Sequence, residues 1–108
     1  MLSKKNRADT KIVEKVFKAG KFINSQFLTF RFVVNTGSPT PRISFIAPKS
    51  VAKLAVDRNK LRRRGYTALK KYINKFPAGI GGAMVFKKPL GTTLEVENEI
   101  QNILSKIN

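Results

Sequence analysis

Ala55-Val56-Asp57-Arg58-Asn59-Lys60-Leu61-Arg62-Arg63-Arg64-Gly65-Tyr66-Thr67-Ala68-Leu69-Lys70-Lys71-Tyr72-Ile73-Asn74-Lys75-Phe76 is the stretch on which the reading of this chain turns. Leu61, Gly65, Ala68, Leu69, Tyr72, Ile73 and Phe76 recur at the spacing of one helix face, so residues 55–76 read as an amphipathic helix laid on a core. Gly65 lies on that apolar stripe. A mid-helix glycine costs about 0.5–1 kcal/mol relative to alanine, and close approach to the neighbouring layer is what offsets it.

The rest of the segment is cationic. Over residues 49–71 the bases are Lys49, Lys53, Arg58, Lys60, Arg62, Arg63, Arg64, Lys70 and Lys71, against Asp57 alone, a net +8. Five of these cations crowd into residues 58–64, where the pairs Arg58/Arg62 and Lys60/Arg64 stand one helical turn apart and repel. An isolated protein gains nothing from that arrangement. A phosphate backbone neutralises it, and the planar guanidinium fork matches phosphate oxygens in a way an ammonium does not. Contact with RNA or DNA is the expectation.

Outward from this helix the chain divides into short elements. Asp9 stands as the N-cap of a helix running to about Ala19, with Ile12, Val13, Val16 and Phe17 on one face and Gly20 closing it. Residues 27–34 read as a strand, Leu28, Phe30, Phe32 and Val34 on one face and Phe27, Thr29, Arg31 and Val33 on the other. The second face is mixed, as expected of partial cover or a ligand groove. The turn Thr36-Gly37-Ser38-Pro39-Thr40-Pro41 leads to a strand over residues 42–47, expected to pair back in a loose hairpin. A short extra strand is expected at residues 21–24.

Downstream, residues 77–82 break the long helix and residues 83–86 form an apolar strand. Thr92-x-x-Glu95 has the form of a capping box and opens a last helix with Val96, Ile100, Ile103, Leu104 and Ile107 on one side. Glu95, Glu97 and Glu99, half of the six acids, sit in its first turns, where the helix dipole favours anions. That helix is the surface least suited to RNA. The order α-β-β-α-β-α predicts an α+β fold, a two-layer sandwich of helices against a small central sheet. Residues 1–108 form a single domain in which residues 1–8 are expected to be an extended basic arm.

Composition agrees. The 108 residues carry 22 Lys and Arg against six acids, +16 in all, with 42% apolar residues, too many for a disordered tail of that charge. Such charge repels itself until a polyanion neutralises it. No apolar run approaches the roughly 20 residues of a membrane span and no signal-peptide core follows Met1, so nucleic acid is the expected polyanion rather than a membrane. Cysteine and histidine are both absent. That removes disulfides, thiolate and imidazole metal sites, His bases and Cys nucleophiles, makes an autonomous enzyme improbable and fits a cytoplasmic setting.

The run from Ala55 to Arg63 also resembles the Arg-Asn-Arg signature of the protein subunit of bacterial ribonuclease P. Other pieces follow in order: Val16-Phe17-Lys18-Ala19-Gly20 at the end of the first helix, Gln26-Phe27-Leu28 opening the strand, Ile43-Ser44-Phe45 before a Lys-containing turn, Pro48-Lys49-Ser50-Val51-Ala52-Lys53, and Val85-Phe86-Lys87-Lys88-Pro89. The resemblance implies a left-handed strand-helix-strand crossover through the basic helix, against the usual rule. It implies the protein subunit of a ribonucleoprotein endonuclease, a hydrolase whose RNA subunit, with Mg²⁺ bound mainly by that RNA and the substrate, removes the 5′ leader of precursor tRNA. The protein alone would be inactive, and no protein partner is required. Lys49, Lys53, Arg58, Asn59, Lys60, Arg62 and Arg63 become the RNA-binding residues. Val13, Phe17 and Phe30 would line a leader groove between the first helix and the sheet, where stacking is sequence-tolerant. Core packing accounts for Phe17 and Phe30 equally well. The chain departs from the pattern where Lys60 replaces the second Arg, Val13 a frequent Phe, and Gly65-Tyr66 a stretch that usually carries another Arg; the turn over residues 50–54 lacks a usual Gly and is one residue longer.

Composition does not separate this reading from a small ribosomal-type structural RNA-binding protein; the ordered signature does. A metal-dependent nuclease in its own right would need clustered carboxylates, and the acids here are scattered or gathered on the last helix.

Overall fold

Asp9 starts the first helix in the way its position predicts. Its Oδ1 accepts the Ile12 backbone N–H at 2.9 Å, and α1 spans Thr10–Ala19 in the computed structural model, which describes residues 4–107. Gly20 leads straight into β1 (Lys21–Asn24), the short strand expected there, and β1 returns as β2 (Leu28–Val33). These two form the hairpin, Lys21 opposite Phe32 and Asn24 opposite Thr29.

The expected hairpin between β2 and β3 (Arg42–Ile46) does not form. β4 (Gly81–Phe86) inserts between them, antiparallel to β2 and parallel to β3, giving the sheet order β1-β2-β4-β3. Two physical reasons account for this. Residues 34–41 hold no two-residue turn that would clamp adjacent strands. Gly81-Gly82-Ala83-Met84-Val85-Phe86 is small or apolar at every position and buried at all but Val85, which suits a central strand covered on both faces. Between β3 and β4 the chain crosses over through α2 (Ala55–Tyr72), ending in a 3-10 turn at Ile73–Lys75. Thr92 opens α3 (Thr93–Ile107): its Oγ1 accepts the Glu95 N–H at 3.2 Å, and its hydroxyl donates to the Glu95 carboxylate at 3.0 Å.

Side chains alternate across a sheet, and the two faces here have different fates. Leu28, Phe30, Ile43, Phe45, Met84 and Phe86 form the core with Leu61, Ala68 and Leu69 of α2 and Val96, Ile100 and Ile103 of α3. Gly65 makes the close approach its place on the stripe predicts: a Cβ there would lie 2.6 Å from the Phe45 ring. The opposite face carries α1. Val16 is buried beneath it, and a Cβ on Gly81 would lie 2.8 Å from Ile12. The α+β fold with a small sheet is as expected, but α1 adds a partial third layer to the two-layer sandwich.

One further expectation is corrected. Residues 4–8 are not an extended arm. Lys4–Asn6 form a 3-10 turn, and Asn6 is buried with its Nδ2 donating to Pro41 O at 3.1 Å. Thr40 Oγ1 donates to Lys5 O and Ser44 Oγ to Ala8 O, so the segment is tied down along the edge strand β3. Residues 1–3 of that expected arm lie outside the described residues. Glu99, in the first turns of α3 as expected, is only 8% exposed. It accepts from Ser25 Oγ at 2.7 Å and the Phe27 N–H at 2.5 Å, pinning α3 to the β1–β2 turn.

Candidate nucleic-acid interface

The turn before α2 is built by Pro48, whose carbonyl accepts the backbone N–H groups of Val51 and Ala52. Leu54 provides no side-chain cap. Arg58 reaches back instead, donating from one guanidinium nitrogen to Ala52 O at 3.1 Å and Lys53 O at 2.7 Å. It holds the turn in place and leaves Lys49 and Lys53 exposed beside the start of the helix. Asn59, Lys60, Arg62 and Arg63 are exposed over the first turns of α2, with Arg62 donating to Asn59 Oδ1. Of the seven residues singled out as RNA-binding, six are exposed and Arg58 is half-buried; Lys53 and Lys60 line one recess, and Asn59, Arg62 and Arg63 another.

Few of these charges are spent within the chain. Lys71–Glu97, at 3.4 Å, is the single ion pair among the described residues, and it joins the C-terminal half of α2 to α3. The acidic helix therefore meets the end of α2 farthest from the cluster. Arg7 adds a cation that the sequence offers no periodicity to locate. Its guanidinium lies 4.7 Å from the centre of the Tyr66 ring, beside Asn59, Arg62 and Arg63.

The sheet face under α1 forms the second part of the site. Thr29, Arg31 and Val33 of β2, Ser44 and Ile46 of β3 and Val85 of β4 are all half-buried, and Phe22 and Asn24 of β1 are exposed, whereas most residues of the other face are fully buried. α1 covers only part of this surface. The row Asn24, Thr29, Val85, Ile46 crosses all four strands, and at Ile46 it ends two residues before the Pro48 turn. Phe17, 46% exposed, overhangs it from α1 with the Arg31 guanidinium 5.1 Å from its ring centre. Phe22 stands opposite Arg31 on β1.

Phe17 and the half-buried Val13 therefore border an open groove. Phe30 does not. It has no exposed surface and packs with Phe32 and Phe76 on the core face, because strand alternation sends it to the side opposite Arg31. Arg31 is the strand residue that meets Phe17, with Phe22 beside it on β1. The mixed character of the face carrying Thr29 and Arg31 was the sequence signal for Arg31.

A sequence model of the family described as Ribonuclease P matches residues 3–108. The chain belongs to that family. Among solved structures, the RNase P protein from Thermotoga maritima superposes with a TM-score of 0.79 at 21% identity, over 94% of this chain and 97% of that one. The Staphylococcus aureus RNase P protein superposes with a TM-score of 0.74 at 18% identity, over 88% and 87%. At these identities the likeness shows the fold alone. No curated protein sequence matches the chain. As a Ribonuclease P family member the protein is a component of RNase P, with a role in tRNA processing, and the family implies RNase P RNA as its partner. No helix among the described residues is long and apolar enough to cross a membrane.

Proposed function

We propose that this RNase P protein binds a catalytic RNA with the turn at Lys49–Lys53 and the first turns of α2, and holds the 5′ leader of precursor tRNA along the open sheet face beneath α1. The observation that carries the proposal is the placement of unpaired cations at one end of α2, next to a groove bordered by Phe17 and Arg31. Arg58 orders the turn, and Lys49, Lys53, Lys60, Arg62 and Arg63 meet phosphates of the RNA subunit. Asn59 positions Arg62 through its Oδ1. In the groove, Phe17 and Phe22 offer ring faces to bases, while Arg31 and Thr29 offer donors to the strand backbone. Neither contact reads sequence, as leader binding requires.

The reaction is hydrolysis of a phosphodiester at the RNA subunit's centre. The described residues bring no three His, Cys, Asp or Glu side chains together, so they form no magnesium cage. Mg²⁺ belongs in this reading to the RNA subunit and the substrate, and no step is assigned to the ion on this chain. The protein's part is to bind and orient the substrate, in the cytoplasm.

The test is reconstitution. The protein alone is expected to leave precursor tRNA intact at any Mg²⁺ concentration, and to raise cleavage by a bacterial RNase P RNA at low Mg²⁺. Unchanged activity of that RNA hands the assignment to a structural, ribosomal-type RNA-binding protein.

A further inference from the structure

β3 lies at the edge of the sheet, yet its outer side is closed to water. Arg42 N–H points to the β4 side, to Ile80 O at 3.0 Å, whereas Phe45 N–H points away from β4, to the Tyr66 hydroxyl at 3.2 Å. Backbone groups alternate along a strand, so Ile43 and Phe45 are the residues that turn N–H and C=O to the edge, the row through which an open edge pairs with another chain. Ile43 nevertheless has no exposed surface and Phe45 only 3%. Residues 4–8 run along this side, held by Asn6 Nδ2 on Pro41 O, Thr40 Oγ1 on Lys5 O and Ser44 Oγ on Ala8 O, and the Arg7 guanidinium covers the Tyr66 ring. Every one of these hydrogen bonds uses a side chain. No backbone–backbone hydrogen bond joins residues 4–8 to β3 among the described residues, so the segment covers the strand without extending the sheet. β1, at the other edge, is protected differently: it has four residues, and Lys106 Nζ donates to Asn24 O at 2.7 Å. A short edge strand with charge along it is a poor template.

We propose that residues 4–8 and Tyr66 form a removable guard over the β3 edge, which blocks antiparallel pairing of β3 with β3 of a second copy of this chain. Ile43-Ser44-Phe45-Ile46 is rich in the β-branched and aromatic residues that favour such pairing. The blocked ladder is isologous, Ile43 of each copy exchanging N–H and C=O with Phe45 of the other, and it is short, because Pro41 has no N–H with which to extend it. Charge alone guards this edge poorly. The +16 of the chain keeps two copies apart at low ionic strength, but the repulsion is lost when salt screens it or a polyanion neutralises it. The guard therefore matters most in the neutralised state, where nothing else separates the copies. It acts through side chains that hold a segment in place, so it opens without breaking the sheet.

The guard is independent of which nucleic acid the protein binds, and its test uses salt in place of RNA. The full chain is compared with a full-length variant in which the three anchors are removed together, Asn6→Ala, Thr40→Val and Ser44→Ala. Sedimentation is followed over a range of protein concentrations at about 0.1 M and about 1 M salt, where the Debye length falls from about 10 Å to about 3 Å, with circular dichroism checking that each protein is folded. Wild type should sediment as a monomer at both salts. The variant should be a monomer at the lower salt and shift to a dimer with rising concentration at the higher. In that dimer the Ile43 and Phe45 amides should exchange hydrogen more slowly than in the variant monomer. Should the triple variant fail to fold, Asn6→Ala alone carries the comparison, with a weaker shift in the same direction. A folded variant that stays monomeric at the higher salt overturns the guard, as does a wild type that dimerises there. So does a variant dimer whose Ile43 and Phe45 amides exchange as fast as in the monomer, since its copies then meet through another surface.

Discussion

At the scale of single residues, Phe17 and Phe30 show how a pattern match and a fold diverge. Both are phenylalanines on apolar stripes, yet Phe30 is enclosed and Phe17 is nearly half exposed. Phe30→Ala should cost about 3–5 kcal/mol of stability, as expected for emptying a filled core site, read as a lowered denaturant midpoint. Phe17→Ala should leave the midpoint nearly unchanged and weaken binding of leader-bearing precursor relative to mature tRNA, by about 1–3 kcal/mol for one lost stack. Equal losses on the two RNAs would remove Phe17 from the leader groove. Arg58 and Arg62 divide in a similar way. Arg62→Ala should flatten the salt dependence by about 0.7–0.9 with no change in thermal midpoint. Arg58→Ala should lower the midpoint as well, because it unties the carbonyls of Ala52 and Lys53; an unaltered midpoint would make Arg58 a contact residue only.

Among the elements, α2 and α3 are held by features of very different legibility. Gly65 was readable as a close-packing site from its place on the stripe, and Gly65→Ala should cost about 1–3 kcal/mol through overlap with Phe45. A gain in stability, the usual result of Gly→Ala in an open helix, would show that the ring moves aside. Glu99 was not readable, since a glutamate early in a helix satisfies the dipole rule whether it points to water or inward. Glu99→Ala should leave the Phe27 N–H without its acceptor and turn the Ser25 hydroxyl to the Leu28 carbonyl, at about 1–3 kcal/mol. Hydrogen exchange at Phe27 should speed up before that of the central strand β4; unchanged protection there would show that α3 is held by its apolar face alone. The elements themselves, including the N-cap at Asp9, the capping box at Thr92 and the short strand at Lys21–Asn24, follow from local spacing.

For the molecule as a whole, +16 on 108 residues with a single ion pair among the described residues makes self-repulsion a standing cost. Raising salt from low to moderate concentration should therefore raise the melting temperature of the free protein, because screening relieves that repulsion. Bound RNA should raise it further, and most at low salt. A melting temperature that falls with added salt would mean that attractive pairs outweigh the repulsion. The same imbalance organises the surface. Glu97 pairs with Lys71 in the C-terminal half of α2, while the denser run of cations, residues 58–64, stands at the other end, beside the groove.

What the amino-acid sequence determined by itself was local: where helices and strands begin and end, which helix is basic, and that an Arg-rich run precedes an apolar stripe. These rest on spacings of two, three or four residues, which the backbone reads without knowing its surroundings. The tertiary structure decided which strand lies between which, that Phe30 faces the core while Arg31 faces Phe17, that Glu99 turns inward, and that Arg7 joins Arg62 and Arg63. Each of these depends on partners far apart in the chain, from Phe30 and Met84 across the sheet to Ser25 and Glu99. Such contacts are settled by which surfaces bury each other best, a property of the assembled layers and not of any one segment. The helix of residues 55–76 marks the boundary: its charge and its stripe are local facts, and the basic surface around its first turns is complete only when the turn at Lys49–Lys53 and the segment bearing Arg7 are folded beside it.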